Sequence, residues 1–173
     1  IKASKSPALH SFKEITTDLI EFSRNSSYRE QILLKIKKLL PQKINDFVII
    51  NNAAEQILRS LEEIQWMDWK NSLTTNTIAP FFLVQGFRTE LIKASGHVIN
   101  MSSIHAKLTK NKFTCYSASK SALEAITRSL ALELSPMGVS VNAIAPAAIS
   151  TKMLKDSFKD KAEKLLNLKH YHP

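Results

Sequence analysis

Asp46-Phe47-Val48-Ile49-Ile50, stopped by Asn51-Asn52, and His97-Val98-Ile99-Asn100-Met101, followed by Ser102-Ser103, are the stretches whose reading decides the fold. Each is a short apolar run rich in β-branched residues and ended by polar turn formers, the pattern of a strand buried on both faces. Working outward, residues 27–40 (SYREQILLKIKKLL) carry Ile32, Leu33, Ile36, Leu39 and Leu40 at helical spacing before Pro41. Asp68 to Lys93 reads as one long helix closed by Ser95-Gly96, and Thr114 to Ser135 as a helix rich in small residues, ended by Pro136 and Gly138. Val139 to Ile144 is a third strand, and Thr151 to Leu168 a final amphipathic helix. Strands separated by helices of this length must pair in parallel through right-handed crossovers, so the expected class is α/β, doubly wound, with helices on both faces of the sheet.

The 173 residues suit one domain, 1–173, without a linker or an internal repeat. With 44% hydrophobic and 23% charged residues the composition is globular. The longest apolar run, Ile78 to Val84, is far shorter than the roughly 20 residues of a membrane span. Ile1-Lys2-Ala3-Ser4-Lys5 lacks the apolar core of a secretory signal, and the absence of a starting Met suggests a processed or partial chain. The single cysteine, Cys115, excludes an internal disulfide and fits a reducing compartment, the cytoplasm by default. A net charge of +9 would admit a nucleic-acid partner. The basic residues are instead spread among acids without interleaved aromatics, so neither nucleic acid nor membrane is expected as a partner. Only three glycines occur, Gly86, Gly96 and Gly138, few for a fold that needs close backbone approaches.

Tyr116 and Lys120 lie four apart, on one face of the third helix. A lysine ammonium beside a phenol favours the phenolate and brings the tyrosine toward neutral-pH proton exchange. Taken alone the pair is weak, since about a third of one such pair arises by chance in a chain with this many lysines. Ser103 changes its meaning: it follows the second strand directly, at the carboxyl edge of a parallel sheet, where open α/β folds bind ligands. A serine donor, a tyrosine and a lysine can then converge on one carbonyl or hydroxyl group. Bland readings stand beside this one: a capping hydroxyl for Ser103, a solvated helix asparagine for Asn76, and a solvated loop for Lys107, Lys110 and Lys112. Cys115, His97 and His105 carry no metal or nucleophile pattern, and no metal is expected.

With these residues in view, the chain resembles the short-chain dehydrogenase/reductase family. The resemblance rests on Asn51-Asn52-Ala53-Ala54, Asn76 in LTTNTIAPFF, Ser103 in VINMSS, Tyr116 and Lys120 in YSASK, and VNAIAPAAISTKM from Val141 to Met153. It reaches back to Asp18 in ITTDL and covers about four fifths of the chain. It implies a Rossmann-like fold and hydride transfer between NAD or NADP and a small carbonyl or alcohol substrate. It also implies Tyr116 as general acid/base, Ser103 as the group that polarises the substrate oxygen, Lys120 as the group that lowers the tyrosine pKa and holds the nicotinamide ribose, and Asn76 as the residue that bends its helix so that a backbone carbonyl anchors a relay water. For the cofactor it implies Asp18, after a presumed third strand of the family, near the adenine. Asn52 and Ala53 would lie along the adenosine ribose, and Pro146, Ile149 and Thr151 near the nicotinamide carboxamide. The helices near 68–93 and 114–135 would pack against symmetry mates in a homo-oligomer, a dimer or tetramer.

This sequence departs from the family pattern in three places. Ala54 and Ala147 stand where the family usually has glycine. The family's glycine-rich pyrophosphate loop has no counterpart here, because the residues before Asp18 contain no glycine. Both ends are therefore expected to be cut relative to the family. Such a cut would weaken dinucleotide binding by these residues alone and expose Val48 and Ile50. The alternative reading is a degenerate relative that keeps the catalytic helix and serves as a binding or oligomerising module without activity. A basic nucleic-acid-binding domain is the weaker third.

Overall fold

The computed structural model describes residues 13–147. Two short helices come first, α1 (Leu19–Arg24) and α2 (Ser26–Lys37). Strand β1 (Val48–Asn51) follows, and then α3 (Trp66–Leu73), a π-helical turn (Thr74–Ile78), α4 (Ala79–Gly86) and α5 (Arg88–Lys93). The order closes with β2 (His97–Met101), a 3-10 turn (Ile104–Ala106), α6 (Thr114–Leu134), a second 3-10 turn (Ser135–Met137) and β3 (Ser140–Ile144). The strands form a parallel sheet in the order β1-β2-β3, with Ile49 opposite Val98 and Val98 opposite Val141. The expected parallel α/β sheet is present, and the helix expected over Thr151 to Leu168 lies outside the described residues.

Ile49, Val98 and Val141 point to one face, where they join Val84, Phe87 and Leu91 of the helices before β2 and Leu130 and Leu134 of α6 in a single core. Leu33 and Ile36 of α2 pack onto its margin. The expectation that every strand is buried on both faces fails at β1. Its side chains alternate, and Val48 and Ile50 on the opposite face are 50% and 60% exposed, the exposure expected of them above. Alternation of this kind is forced by the two-residue period of a strand once a single face is covered.

The long helix expected over 68–93 is broken into three, for reasons visible in the chain. Pro80 has no N–H to give the carbonyl of Asn76 four residues back, and the ladder widens to a π turn over 74–78. The second break is at Phe87, whose backbone leaves the helical region (φ −107°, ψ 15°). Beside it Leu33 packs so closely on Gly86 that a Cβ there would meet its methyl groups at 2.5 Å.

Gly96 is the tightest point of the sheet entry. A Cβ there would stand 2.5 Å from the carbonyl oxygen of Phe47, which accepts the His97 N–H at 2.9 Å. Since that obstacle is backbone, Gly96→Ala is expected to force β1 and β2 apart and to cost about 1–3 kcal/mol, the range of overpacked sites. Chemical denaturation of the variant should show the lower midpoint. Gly138, in the left-handed region at φ 78°, closes the turn after α6 and lets Val139 enter the core beside β3.

Candidate active site

α6 is built on one stripe. Cys115, Tyr116, Ser119, Lys120, Leu123, Thr127, Leu130 and Leu134 are its buried residues, at the spacing of a single helical face. The lower part of that face is apolar and enters the core. The upper part is polar and meets the carboxyl edge of the sheet, where the residues after β2 emerge. The fold thereby brings Ser103, Tyr116, Lys120 and Asn76 to one end of the molecule.

Ser103 is buried and caps the 3-10 turn after β2, its Oγ accepting the His105 N–H at 3.2 Å. The same side chain lies close enough to the Tyr116 phenol to lower its pKa. Ser103 is thus the capping hydroxyl of this turn, placed beside the Tyr116 phenol. Tyr116 is 6% exposed and has the Phe113 ring edge-on, at 5.9 Å between centroids.

Lys120 is 2% exposed, its Nζ lying 5.8 Å from the centre of the Tyr116 ring and donating to the Met101 carbonyl at 2.6 Å. This corrects one expectation: Tyr116 is not brought toward neutral titration. Burial raises its pKa above the ordinary phenol value, and only the nearby Ser103 side chain opposes that. The ammonium is turned to the strand carbonyl, and burial lowers its own pKa to about 8.

A pH dependence of stability follows. Between about pH 8 and the ordinary lysine value of 10.5 the unfolded chain holds the Lys120 proton more firmly than the fold does, so stability rises with pH across that window, by up to about 3 kcal/mol. Tyr116, with a raised folded pKa, works in the opposite direction above its unfolded value near 10. Denaturation midpoints taken from pH 7 to about 10 should rise for the native sequence and be flatter for Lys120→Met.

Asn76 sits inside the π turn, 1% exposed, and is not a solvated helix asparagine. Its Oδ1 accepts the Glu55 N–H at 2.8 Å, while its Nδ2 donates to the Glu55 carbonyl at 2.8 Å and to the Ser119 Oγ at 2.9 Å. One amide thus fastens the segment after β1 to α6. Thr77 of the π turn donates to the Ser119 carbonyl and Ser72 of α3 to the Cys115 carbonyl, two further clamps onto α6. Cys115 itself is buried with its thiol pKa raised, as a packing residue would be.

Sequence reasoning missed a buried polar chain. Asn51 donates to Asn100 at 2.7 Å, Asn100 to Thr127 at 2.8 Å, and Thr127 to the Leu123 carbonyl at 2.6 Å, joining β1, β2 and α6 below the site. Its only signal was an asparagine at the end of each of two apolar strands, which reads equally well as a strand stop.

The cofactor-side residues are distributed as follows. Asn52 and Ala53 are exposed just beyond β1. Pro146 lies beyond β3, its carbonyl accepting the Ile104 N–H at 3.1 Å, which ties that segment to the Ser103 turn. Ile149 and Thr151 lie outside the described residues. Asp18 follows no strand, because residues 13–18 are irregular, and its carboxylate caps α1 by accepting from Ile20 and Glu21. Ala54 and Ala147, where the family usually has glycine, adopt no left-handed backbone, so an alanine brings no backbone strain there. The buried Lys120 ammonium has three N–H donors and one carbonyl acceptor, and vicinal sugar hydroxyls are the chemistry that would satisfy the others. Residues 107, 110 and 112 are exposed, with Lys110 4.5 Å from the centre of the Phe113 ring. Among the described residues no group of side chains could hold a metal ion, and no helix is long and apolar enough to cross a membrane.

Comparison with known proteins shows the family. The chain is 35% identical over 136 residues to NADPH-dependent aldehyde reductase 1, chloroplastic, of Arabidopsis thaliana, matching 76% of this chain and 46% of that protein. It is 31% identical over 130 residues to NAD-dependent glycerol dehydrogenase of Listeria innocua, matching 75% of this chain and 50% of the other. The crystal structure of acetoin dehydrogenase from Salmonella typhimurium superposes with a TM-score of 0.68 at 30% identity, covering 80% of this chain and 53% of that one. The chain spans about half the length of the curated relatives it matches. The family model described as short chain dehydrogenase matches residues 10–162, which include the strands, the π turn and the Ser103–Tyr116–Lys120 edge, and the chain belongs to that family.

Proposed function

We propose that the protein is an NAD- or NADP-dependent oxidoreductase that interconverts an alcohol with a ketone or aldehyde, its single domain carrying a Ser-Tyr-Lys-Asn site. The observation that carries this reading is the convergence at one edge of buried Ser103, Tyr116 and Lys120, with Ser103 close enough to the Tyr116 phenol to lower its pKa and the Lys120 ammonium 5.8 Å from the ring centre. A substrate oxygen placed against both hydroxyls receives two donors. Ser103 polarises it, and Tyr116 delivers the proton as the oxygen becomes an alkoxide. Burial keeps the phenol protonated at neutral pH, which suits the reduction direction. The nicotinamide cofactor, when bound, supplies or accepts the hydride.

Lys120, held by the Met101 carbonyl, would hold the ribose hydroxyls. Asn52, Ala53 and Pro146 would line the dinucleotide along the carboxyl edge, with Asp18, Ile149 and Thr151 as the family resemblance assigns them. Asn76 acts by position, fixing the catalytic helix to the segment after β1. Relatives named for NADPH and for NAD support either dinucleotide, and their named substrates, glycerol and acetoin, are small hydroxylated molecules. Ala118, Ala122 and Ala125 on the uncovered side of α6 support a homo-oligomer, a dimer or tetramer. The test is dinucleotide-dependent reduction of a panel of small ketones and aldehydes by the full-length protein. Dinucleotide consumption that requires both carbonyl and protein supports the reading, and its absence with every carbonyl and both dinucleotides favours the inactive module.

A further inference from the structure

Beside the Ser103–Tyr116 pair stands a histidine that the proposed chemistry does not use. The backbone N–H of His105 donates to the Ser103 Oγ, and its ring packs on Phe113 at 4.4 Å and lies edge-on to Tyr116 at 6.4 Å, centroid to centroid. Its Nδ1 is 2.8 Å from the Leu108 carbonyl. A carbonyl can only accept, so Nδ1 carries the proton and Nε2 keeps its lone pair. Among the described residues that lone pair has no partner. Burial, with the neighbouring Lys110 charge, lowers the imidazole pKa and holds the ring neutral near pH 7.

We propose that His105 reads the substrate, its Nε2 accepting a hydrogen bond from a hydroxyl on the carbon next to the reacting one, so that the substrate is an α-hydroxy ketone or aldehyde and the product a vicinal diol. The ring is fixed three ways, by its own backbone N–H, by Leu108 and by Phe113, so the acceptor is already oriented and little is lost in ordering it. Packing on Phe113 would be served equally by a third phenyl ring, and the polar edge is what a histidine adds. With the two ring centroids 6.4 Å apart, a substrate oxygen on the Tyr116 hydroxyl would bring the adjacent carbons toward this ring. The inference rests on the oxidoreductase reading and narrows its substrate class.

The test compares kcat/KM of the full-length protein for butan-2-one and 3-hydroxybutan-2-one, which differ by one hydroxyl. The native sequence should prefer the hydroxyketone by at least about tenfold, the factor for about 1.4 kcal/mol. His105→Phe, which keeps a ring and removes the acceptor, should reduce the preference to within about twofold while leaving butan-2-one reduction within about threefold of native. His105→Gln, whose amide oxygen can accept in place of Nε2, should restore part of it. If phenylalanine prevents folding, His105→Leu carries the same expectation. A preference that survives loss of the acceptor overturns the proposal, as does a loss of butan-2-one reduction equal to the loss with the hydroxyketone. These outcomes leave the oxidoreductase reading intact. Failure to reduce either ketone or any other carbonyl overturns that reading, and this inference with it.

Discussion

Tyr116→Phe is expected to lower turnover of the full-length protein by at least about 10²-fold, the low end for a lost general acid. The change removes one oxygen from a side chain that is 6% exposed and packed edge-on against Phe113, so the ring keeps its place and folding is little affected. In the proposed site the phenol is one of two hydroxyls that would face the substrate, and the other belongs to Ser103. Ser103 cannot take over proton delivery, because an unactivated alkyl hydroxyl is a far weaker acid than a phenol. Lys120 cannot reach across readily, since its ammonium is bound to the Met101 carbonyl. Dinucleotide affinity should change little. Steady-state kinetics beside a direct binding titration separate the two quantities, and near-native turnover would remove Tyr116 from the mechanism.

Asn76→Ala is expected to cost about 2–5 kcal/mol of stability, a large part of what a domain of this size possesses. The substitution strips partners from the Glu55 N–H, the Glu55 carbonyl and the Ser119 hydroxyl together, in a site where Asn76 itself is 1% exposed. Each group left unpaired costs about 1–3 kcal/mol when water cannot reach it, and the full sum is avoided only because the segment at Glu55 can open to solvent. Ser119 retains its bond to the Tyr116 carbonyl, so α6 should survive as a helix. Asn76→Asp keeps the acceptor for the Glu55 N–H and should lose less. Equilibrium denaturation of the two variants tests the order, and equal losses would show that the bond from the Glu55 N–H, the one that Asp keeps, contributes nothing.

The residue pattern alone determined the three parallel strands and α6. Apolar runs ended by polar residues, helices between them and the stops at Gly96, Pro136 and Gly138 are local signals, and the chain obeys them to within about two residues. It also determined that Ser103, Tyr116 and Lys120 share one edge, because a residue leaving a parallel strand and the start of the next helix must lie at the same end. The π turn was half legible: Pro80 announces a break, but the bonds from Asn76 to Glu55 and Ser119 that settle it run between residues 21 and 43 apart in the chain.

Only the tertiary structure decided the electrostatics. Spacing places Lys120 beneath Tyr116 but is silent on where a long flexible side chain points. Here it points to the Met101 carbonyl, and desolvation then raises the phenol pKa and lowers the ammonium pKa. The same holds for the Asn51–Asn100–Thr127 chain and for His105 beside Tyr116, whose meaning comes from what the fold sets next to them. Val48 and Ile50 are identical in kind to Ile49 in the sequence, yet they are half-exposed while Ile49 is buried. A strand's period fixes that its faces differ, and only the packed helices fix which face is covered.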